Sequence, residues 1–305
     1  MKPKIIILAG PTASGKTRVA LELARRFSAA IVSADSIQIY RFMDIGSAKP
    51  SIEERQQIPH FMIDIRYPDE DFSAGDYVNE ARSIIRKIVE KSMVPLVVGG
   101  TGLYIRLLRG GIADLPRADL NLRSRLRQIC EKEGIQALTA RLETVDPSAA
   151  KNIGPNNLVR ILRALEVFEL TGRPFSELQR KHAFRDCPYN ALYLGLNPER
   201  EKLYQAIDDR VDSMMTSGLL DEVRYLHGLG YGAELKPLQS IGYRHAGTVL
   251  AGHATLLEAT ELMKRDTRHY AKRQLTWFRS EPDLRWFDPQ ESSTIGVEVD
   301  NFLEH

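Results

Sequence analysis

Ile5-Ile6-Ile7-Leu8-Ala9-Gly10-Pro11-Thr12-Ala13-Ser14-Gly15-Lys16-Thr17 is the stretch that decides the fold. Its first five residues are apolar and mostly β-branched on both faces, as in a strand buried in the middle of a parallel sheet. The next eight fit G-x-x-x-x-G-K-[ST], followed by a helical pattern of Val19, Leu21, Leu23, Ala24 and Phe27. Strand, glycine-rich turn and helix in that order form the phosphate-binding unit. Its glycines let successive N–H groups point inward, and the helix N-terminus adds partial positive charge. Lys16 is expected to reach phosphate oxygens and the Thr17 hydroxyl to ligate Mg²⁺. Gly10 to Thr17 is thus a polyphosphate site by its own chemistry.

Working outward, Ala30 to Ala34, Phe61 to Ile65 and Pro95 to Val98 read as further strands, with helix-period stretches such as Tyr77 to Val89 between them. Alternating strands and helices predict an α/β domain with a parallel sheet, whose ligands sit beyond the carboxyl ends of the strands. Those ends read Gly10 to Thr17, Asp35-Ser36 and Gly99-Gly100-Thr101-Gly102. Between about Ala113 and Pro188 strand patterns vanish and amphipathic helices take over (Leu122 to Lys132, Ile135 to Leu142, Leu158 to Leu170). We read this as a helical insertion at residues 113–188, inside a discontinuous core of 1–112 and 189–302. Tyr189 to Leu196 returns to strand, and Glu199 to Gly228 and Leu256 to Arg279 read as long helices. Leu303-Glu304-His305 has the look of a tag remnant and is set aside from the fold.

Composition fits this picture. The chain has 305 residues, 43% of them hydrophobic and 27% charged, which excludes disordered and low-complexity classes. Forty-two basic against 40 acidic residues leave a net charge of +2, so a polyanionic partner requires uneven distribution of charge. Cys130 and Cys187 make neither a metal spacing nor a disulfide framework. With no signal-peptide pattern at the N-terminus and no apolar run long enough to span a bilayer, we expect a cytoplasmic protein.

The loop leaves its occupant open, because a nucleoside triphosphate and a compact Mg²⁺-bound diphosphate satisfy the same donors. A nucleotide hydrolase or kinase calls for a carboxylate ending an apolar strand near the metal. Here the fourth strand ends Val97-Val98-Gly99-Gly100-Thr101 without an acid, and the carboxylate, Asp35, ends the second.

Six segments then narrow the choice: GPTASGKT (residues 10–17), SADSIQIY (33–40), GGTGLY (99–104), RILRALEV (160–167), LQSIGYR (238–244) and YAKRQLTWFR (270–279). Together, in order and spacing, they resemble the tRNA dimethylallyltransferases, or IPP transferases, from the first strand to about Arg279. The resemblance implies a P-loop kinase-like core with a helical domain that closes on tRNA. It also implies transfer of a dimethylallyl group from dimethylallyl diphosphate to N6 of the adenine 3′ to the anticodon. The loop then holds a leaving group, which accounts for the missing second acid.

Under that reading Gly10, Pro11, Thr12, Ala13, Ser14, Gly15, Lys16 and Thr17 bind the diphosphate, helped by an arginine that the resemblance places at Arg210. Stabilising the departing negative charge is the larger catalytic task. Asp35 suits the base that takes the amine proton; its alternatives are a Mg²⁺ ligand or a cap on the following segment. Thr101 is expected to orient the amine, and Ser36, Ile37 and Gln38 to hold the extruded base or its neighbours. Extrusion is required because the reacting edge lies in a stacked loop.

The tRNA face is expected on Arg123, with Arg125 and Arg127 nearby, and on Val159-Arg160-Ile161-Leu162-Arg163. Val159 stands where the family often carries Gln, so a base contact through that position is in doubt. A further stripe, Arg268, Lys272 and Arg279, shares one helical face and suits the phosphate backbone. Tyr270 and Trp277 read as core anchors rather than stacking platforms. We expect a monomer and no zinc site. The competing readings are prenyl transfer to free adenine nucleotides and an ATP-dependent P-loop kinase.

Overall fold

The computed structural model describes residues 2–111, 115–116, 118–182 and 188–305, the side chains of Lys181 and His182 aside. It divides into two compact units, Met1–Arg109 with Pro188–His305, and Gly110–Cys187. Ile112 and Ala113, at the expected start of the insertion, and Cys187, near its expected end, lie outside the described residues.

In chain order the first unit begins with β1 (Lys4–Ala9), α1 (Lys16–Arg26), β2 (Ala29–Ser33), α2 (Ile52–Gln57), β3 (His60–Phe61), α3 (Ala74–Glu90), β4 (Val94–Gly99) and α4 (Gly102–Gly110). The second unit holds α5 (Leu120–Glu133), α6 (Ile135–Val145), α7 (Pro147–Ile153), α8 (Leu158–Thr171) and α9 (Phe175–His182). The chain then returns to the first unit with β5 (Asn190–Leu196), α10 (Arg200–Thr216), α11 (Leu219–Gly228), α12 (Tyr243–Leu250), α13 (Leu256–Arg279), β6 (Arg285–Phe287) and α14 (Ser292–Glu304).

The six strands form one sheet in the order β3-β2-β4-β1-β5-β6, every neighbouring pair parallel. This is the expected α/β class. Strand β1 is central, with Leu8 opposite Val98 on one side and Leu194 on the other, and its apolar run is wholly buried. Val19, Ala20, Leu23 and Ala24 recur at helical spacing on α1 and pack against Ile6, Leu8 and Leu96. The long helix α13 starts at a capping box in which Thr255 and Glu258 satisfy each other's backbone amides.

Several expectations need correction. The third strand stops at Phe61, because Met62 (φ 63°) and Asp64 (φ 56°) adopt left-handed backbone that no extended strand accommodates. The helix read over Glu199 to Gly228 is two helices, broken at Ser217-Gly218 where Gly218 has φ 97°. Strand β6 and helix α14 escaped the reading. Helix α14 buries Ile295 and Val299, four apart, and Leu303 packs on the same core while its carbonyl accepts from Lys4 Nζ at 2.8 Å. Leu303 therefore belongs to the fold rather than outside it.

The second unit has its own core of Leu122, Leu126, Leu138, Leu142, Ala164 and Leu165, all from α5, α6 and α8. Helices α5, α7 and α8 start at side-chain caps from Asp119, Asp146 and Asn157. Asp146 is buried and also accepts from the Ser176 amide at 2.8 Å and hydroxyl at 2.6 Å, which ties α9 to α7.

Candidate active site

Strands β1, β2 and β4 are adjacent, so the segments leaving their carboxyl ends meet. The first is the phosphate loop. Gly15 takes φ 82° to turn the chain into α1, a conformation that suits glycine, and α1 carries no acid in its first turn. Lys16 folds its ammonium back over the loop and donates to the Gly10 and Pro11 carbonyls at 3.0 and 2.6 Å. Burial, with the Arg210 guanidinium beside it, pulls the Lys16 amine down to about 7 against the opposing pull of Asp35.

Two side chains from distant helices close on the same loop. Arg210 of α10 donates to the Thr12 hydroxyl at 3.3 Å. Gln274 of α13, almost fully buried, accepts from the Thr12 amide at 2.8 Å and donates to the Gly100 carbonyl at 2.9 Å. Gln274 thus joins the turns after β1 and β4.

At the end of β2, Asp35 Oδ1 accepts from the amides of Ile37 at 2.8 Å and Gln38 at 3.3 Å. The capping alternative weighed for Asp35 is therefore real, and one oxygen makes both contacts, so the second oxygen is available to another donor. Thr101, after β4, accepts from the Ser36 amide at 3.2 Å. Gln38 accepts from the Ser33 hydroxyl and donates to the Ser47 and Ala48 carbonyls, which turns it inward as a brace for the loop.

Two cavities meet here. One runs from the phosphate loop, Lys16 and Thr17 past Val98 to His60. The other is bordered by Ser36, Ile37, Met214, Ile241, Met263 and Thr267. Thr12, Asp35, Ser47, Arg210 and Tyr270 border both. The shared wall is therefore a carboxylate, a guanidinium, two hydroxyls and a phenol. Burial first, then the Asp35 charge, pushes the Tyr270 phenol well above its ordinary range, so it stays a hydrogen-bond donor.

Among the described residues no group of three or more His, Cys, Asp or Glu could hold a metal ion. The donors that do line the phosphate cavity, Thr17 and Asp35, suit Mg²⁺, which takes one or two protein oxygens and fills the rest with phosphate and water.

The expected RNA-facing residues divide. Val159 is 78% exposed, and Arg160, Lys272 and Arg279 are exposed as well. Ile161 and Leu162 must be withdrawn from any RNA face, since their side chains sit in the core of the second unit. Arg123 and Arg163 are engaged by Glu166, which is fully buried and accepts from Arg123 at 2.9 and 3.0 Å and from Arg163 at 2.5 Å. Burial works to raise the Glu166 carboxyl, but these hydrogen bonds outweigh it and hold the group below its ordinary value. Arg268 donates to both oxygens of Asp208 at 2.6 and 2.8 Å, so it ties α13 to α10.

Sequence reasoning missed Gln274 and placed Tyr270 in the core. A signal existed: on the buried face of α13, Ala259, Met263, Ala271 and Phe278 are interrupted by Thr267 and by a glutamine, whose amide carries both donors and an acceptor. A buried amide with no neighbour in its own helix needs partners elsewhere.

The architecture and site define a P-loop α/β protein whose phosphate loop opens onto a second, partly apolar cavity across an aspartate. The model of the IPP transferase family matches residues 38–281, and the chain belongs to that family. It is 51% identical over 295 residues to the tRNA dimethylallyltransferase of Syntrophobacter fumaroxidans, covering 97% of this chain and 86% of the relative. It is 48% identical over 287 residues to that of Geobacter sulfurreducens, covering 94% and 92%. Among solved structures, the tRNA isopentenylpyrophosphate transferase of Bacillus halodurans aligns with a TM-score of 0.74 at 40% identity, over 99% of this chain and 97% of that one. A eukaryotic dimethylallyltransferase captured acting on tRNA aligns with a TM-score of 0.81 at 27% identity, over 94% and 74%.

Proposed function

We propose that this chain transfers the dimethylallyl group of dimethylallyl diphosphate to N6 of the adenine 3′ to the anticodon in tRNA, releasing diphosphate. The observation that carries the reading is the meeting of the two cavities at Asp35 and Arg210. One cavity offers amides and cations for a diphosphate, the other an apolar, hydroxyl-lined space for a base. The names and lengths of the matched relatives support it.

In this reaction the allylic C–O bond breaks, the N6–C bond forms, and one amine proton must leave. The amides of residues 11–15, Lys16 and Arg210 take up charge developing on the departing diphosphate. Thr17 would hold a Mg²⁺ ion together with the diphosphate, and such an ion would supply further charge neutralisation there. Asp35, through its uncommitted oxygen, accepts the proton as the amine gains positive character. Thr101 steers the amine. The Tyr270 phenol donates at the shared wall.

For the RNA, we assign Val159 and Arg160 of the second unit and Lys272 and Arg279 of α13 as contacts, with Ser36 and Ile37 against the extruded base. Among the described residues no helix is long and apolar enough to cross a membrane. We place the protein in the cytoplasm, with its tRNA substrate, as a monomer.

The test is mass spectrometry of nucleosides after the purified chain is incubated with dimethylallyl diphosphate and either tRNA or AMP. N6-isopentenyladenosine in the tRNA digest is the expected result. Labelling of AMP alone would overturn it.

A further inference from the structure

Glu222 lies on α11, and in the fold its carboxylate receives a loop that departs from β2. It accepts from three consecutive backbone amides, Asp44 at 2.9 Å, Ile45 at 2.7 Å and Gly46 at 3.1 Å, and from the Tyr243 hydroxyl at 2.7 Å. Three successive N–H groups converging on one anion form a nest, and the ionised acceptor makes each of those bonds stronger than a neutral one. The loop is also pressed against the Tyr243 ring. A Cβ on Gly46 would stand 2.6 Å from that ring, so only glycine fits. Tyr243 is itself buried, which fixes the surface against which the loop rests.

The consequence reaches the site. Gly46 and Ser47 border the cavity assigned to the base, and Ser47 borders the phosphate cavity too. From the other side the loop is held by Gln38, whose amide donates to the Ser47 and Ala48 carbonyls and whose own backbone N–H donates to Asp35. The loop is thus clamped between Glu222 and the turn that carries Asp35.

We propose that Glu222 is a positioning residue: its carboxylate fixes the 44–47 loop as the wall of the acceptor cavity and so sets how the base meets Asp35. This rests on prenyl transfer to RNA as the activity. Glu222 touches neither substrate.

Glu222→Gln preserves shape but turns one acceptor into a donor facing N–H groups, so the nest loses at least one bond and gains a donor–donor contact. Tyr243→Phe removes one hydrogen bond and keeps the ring against Gly46. With the wild type first shown to prenylate tRNA, which separates failure of the activity assignment from failure of this proposal, three quantities are read for each variant. They are kcat and KM for tRNA, the affinity for inorganic pyrophosphate by calorimetry, and the melting temperature. We expect Glu222→Gln to lower kcat/KM for tRNA about tenfold, chiefly through KM, with pyrophosphate affinity within twofold of wild type. Tyr243→Phe should shift the same quantity in the same direction by about threefold. The proposal is overturned if either folded variant keeps wild-type kcat/KM. It is equally overturned if tRNA and pyrophosphate binding fall together in step with the melting temperature, the pattern of a merely structural residue.

Discussion

Gln274 and Thr12, 262 residues apart, are joined by a 2.8 Å hydrogen bond from the Thr12 amide to the Gln274 side-chain oxygen. The same side chain donates to Gly100, so one amide group sets the separation of the phosphate loop from the turn that carries Thr101.

Replacing Gln274 tests that linkage. Gln274→Met strands a loop amide and a carbonyl, and each buried unsatisfied group costs about 1–3 kcal/mol. Gln274→Glu can still accept from Thr12 but cannot donate to Gly100, and it brings negative charge to an anion site. We expect both variants to melt lower than wild type, and pyrophosphate affinity to rank wild type, then Met, then Glu. Equal affinity for the Met and Glu variants would argue that Gln274 does not face the anion.

Asp35→Asn separates the two duties of Asp35. The asparagine oxygen can still accept from Ile37 and Gln38, so the turn survives, but the side chain can no longer take a proton. We expect the transfer rate to fall by about two to four orders of magnitude, the range of a general base, with tRNA affinity nearly unchanged. Single-turnover rates with saturating tRNA measure it, and a near-normal rate would remove Asp35 from the role.

Lys16 predicts a pH dependence whose sign follows from its environment. In the free protein its amine sits at about 7, and a bound diphosphate favours the ammonium. Below about pH 7 the charge is already present, while above it binding must take up a proton, so affinity falls as pH rises. Calorimetry with pyrophosphate from about pH 7 to about pH 9 should show proton uptake in the wild type. The wild-type to Lys16→Met affinity ratio should shrink several-fold across that interval. A constant ratio would mean that Lys16 remains charged throughout.

How far the chain could be read follows the range of each signal. The phosphate loop and the strand before it were legible because strand, turn and helix are contiguous. Asp35 was legible as the acid that follows the second strand. Gln274 and Glu222 were not, since the loops they hold lie at least 174 residues away. The third strand was overextended because period-two patterning does not register the left-handed backbone at Met62 and Asp64. The arginines misled for a related reason. Counting sign along one helix cannot show that Glu166 is buried and draws in Arg163 of its own helix and Arg123 of another, or that Asp208 on α10 holds Arg268.

That pairing has a measurable consequence in the second unit. With Arg163→Met, the buried Glu166 loses one of its two guanidinium partners and is left under-compensated. Breaking a buried ion pair from one side typically destabilises by about 3–5 kcal/mol, and the surviving Arg123 bonds should hold the effect near the lower end. Denaturant unfolding of the whole chain would measure it. Arg163→Met combined with Glu166→Met should recover part of the loss, and additive losses would show that the two residues are not coupled.

The α13 stripe also divides into unlike halves. Arg268 is bound to Asp208, whereas Lys272 and Arg279 are exposed and make no ion pair among the described residues. Each phosphate contact contributes about 0.7–0.9 to the slope of log affinity against log salt. Lys272→Ala and Arg279→Ala should each weaken tRNA binding and flatten that slope by nearly one contact, together by about two. Arg268→Ala should act differently, leaving the slope almost unchanged while releasing Asp208 and lowering the melting temperature. Filter binding of tRNA over a salt series distinguishes the cases. A slope that drops for Arg268→Ala as much as for Lys272→Ala would mean that the Asp208 pair opens to let Arg268 reach phosphate.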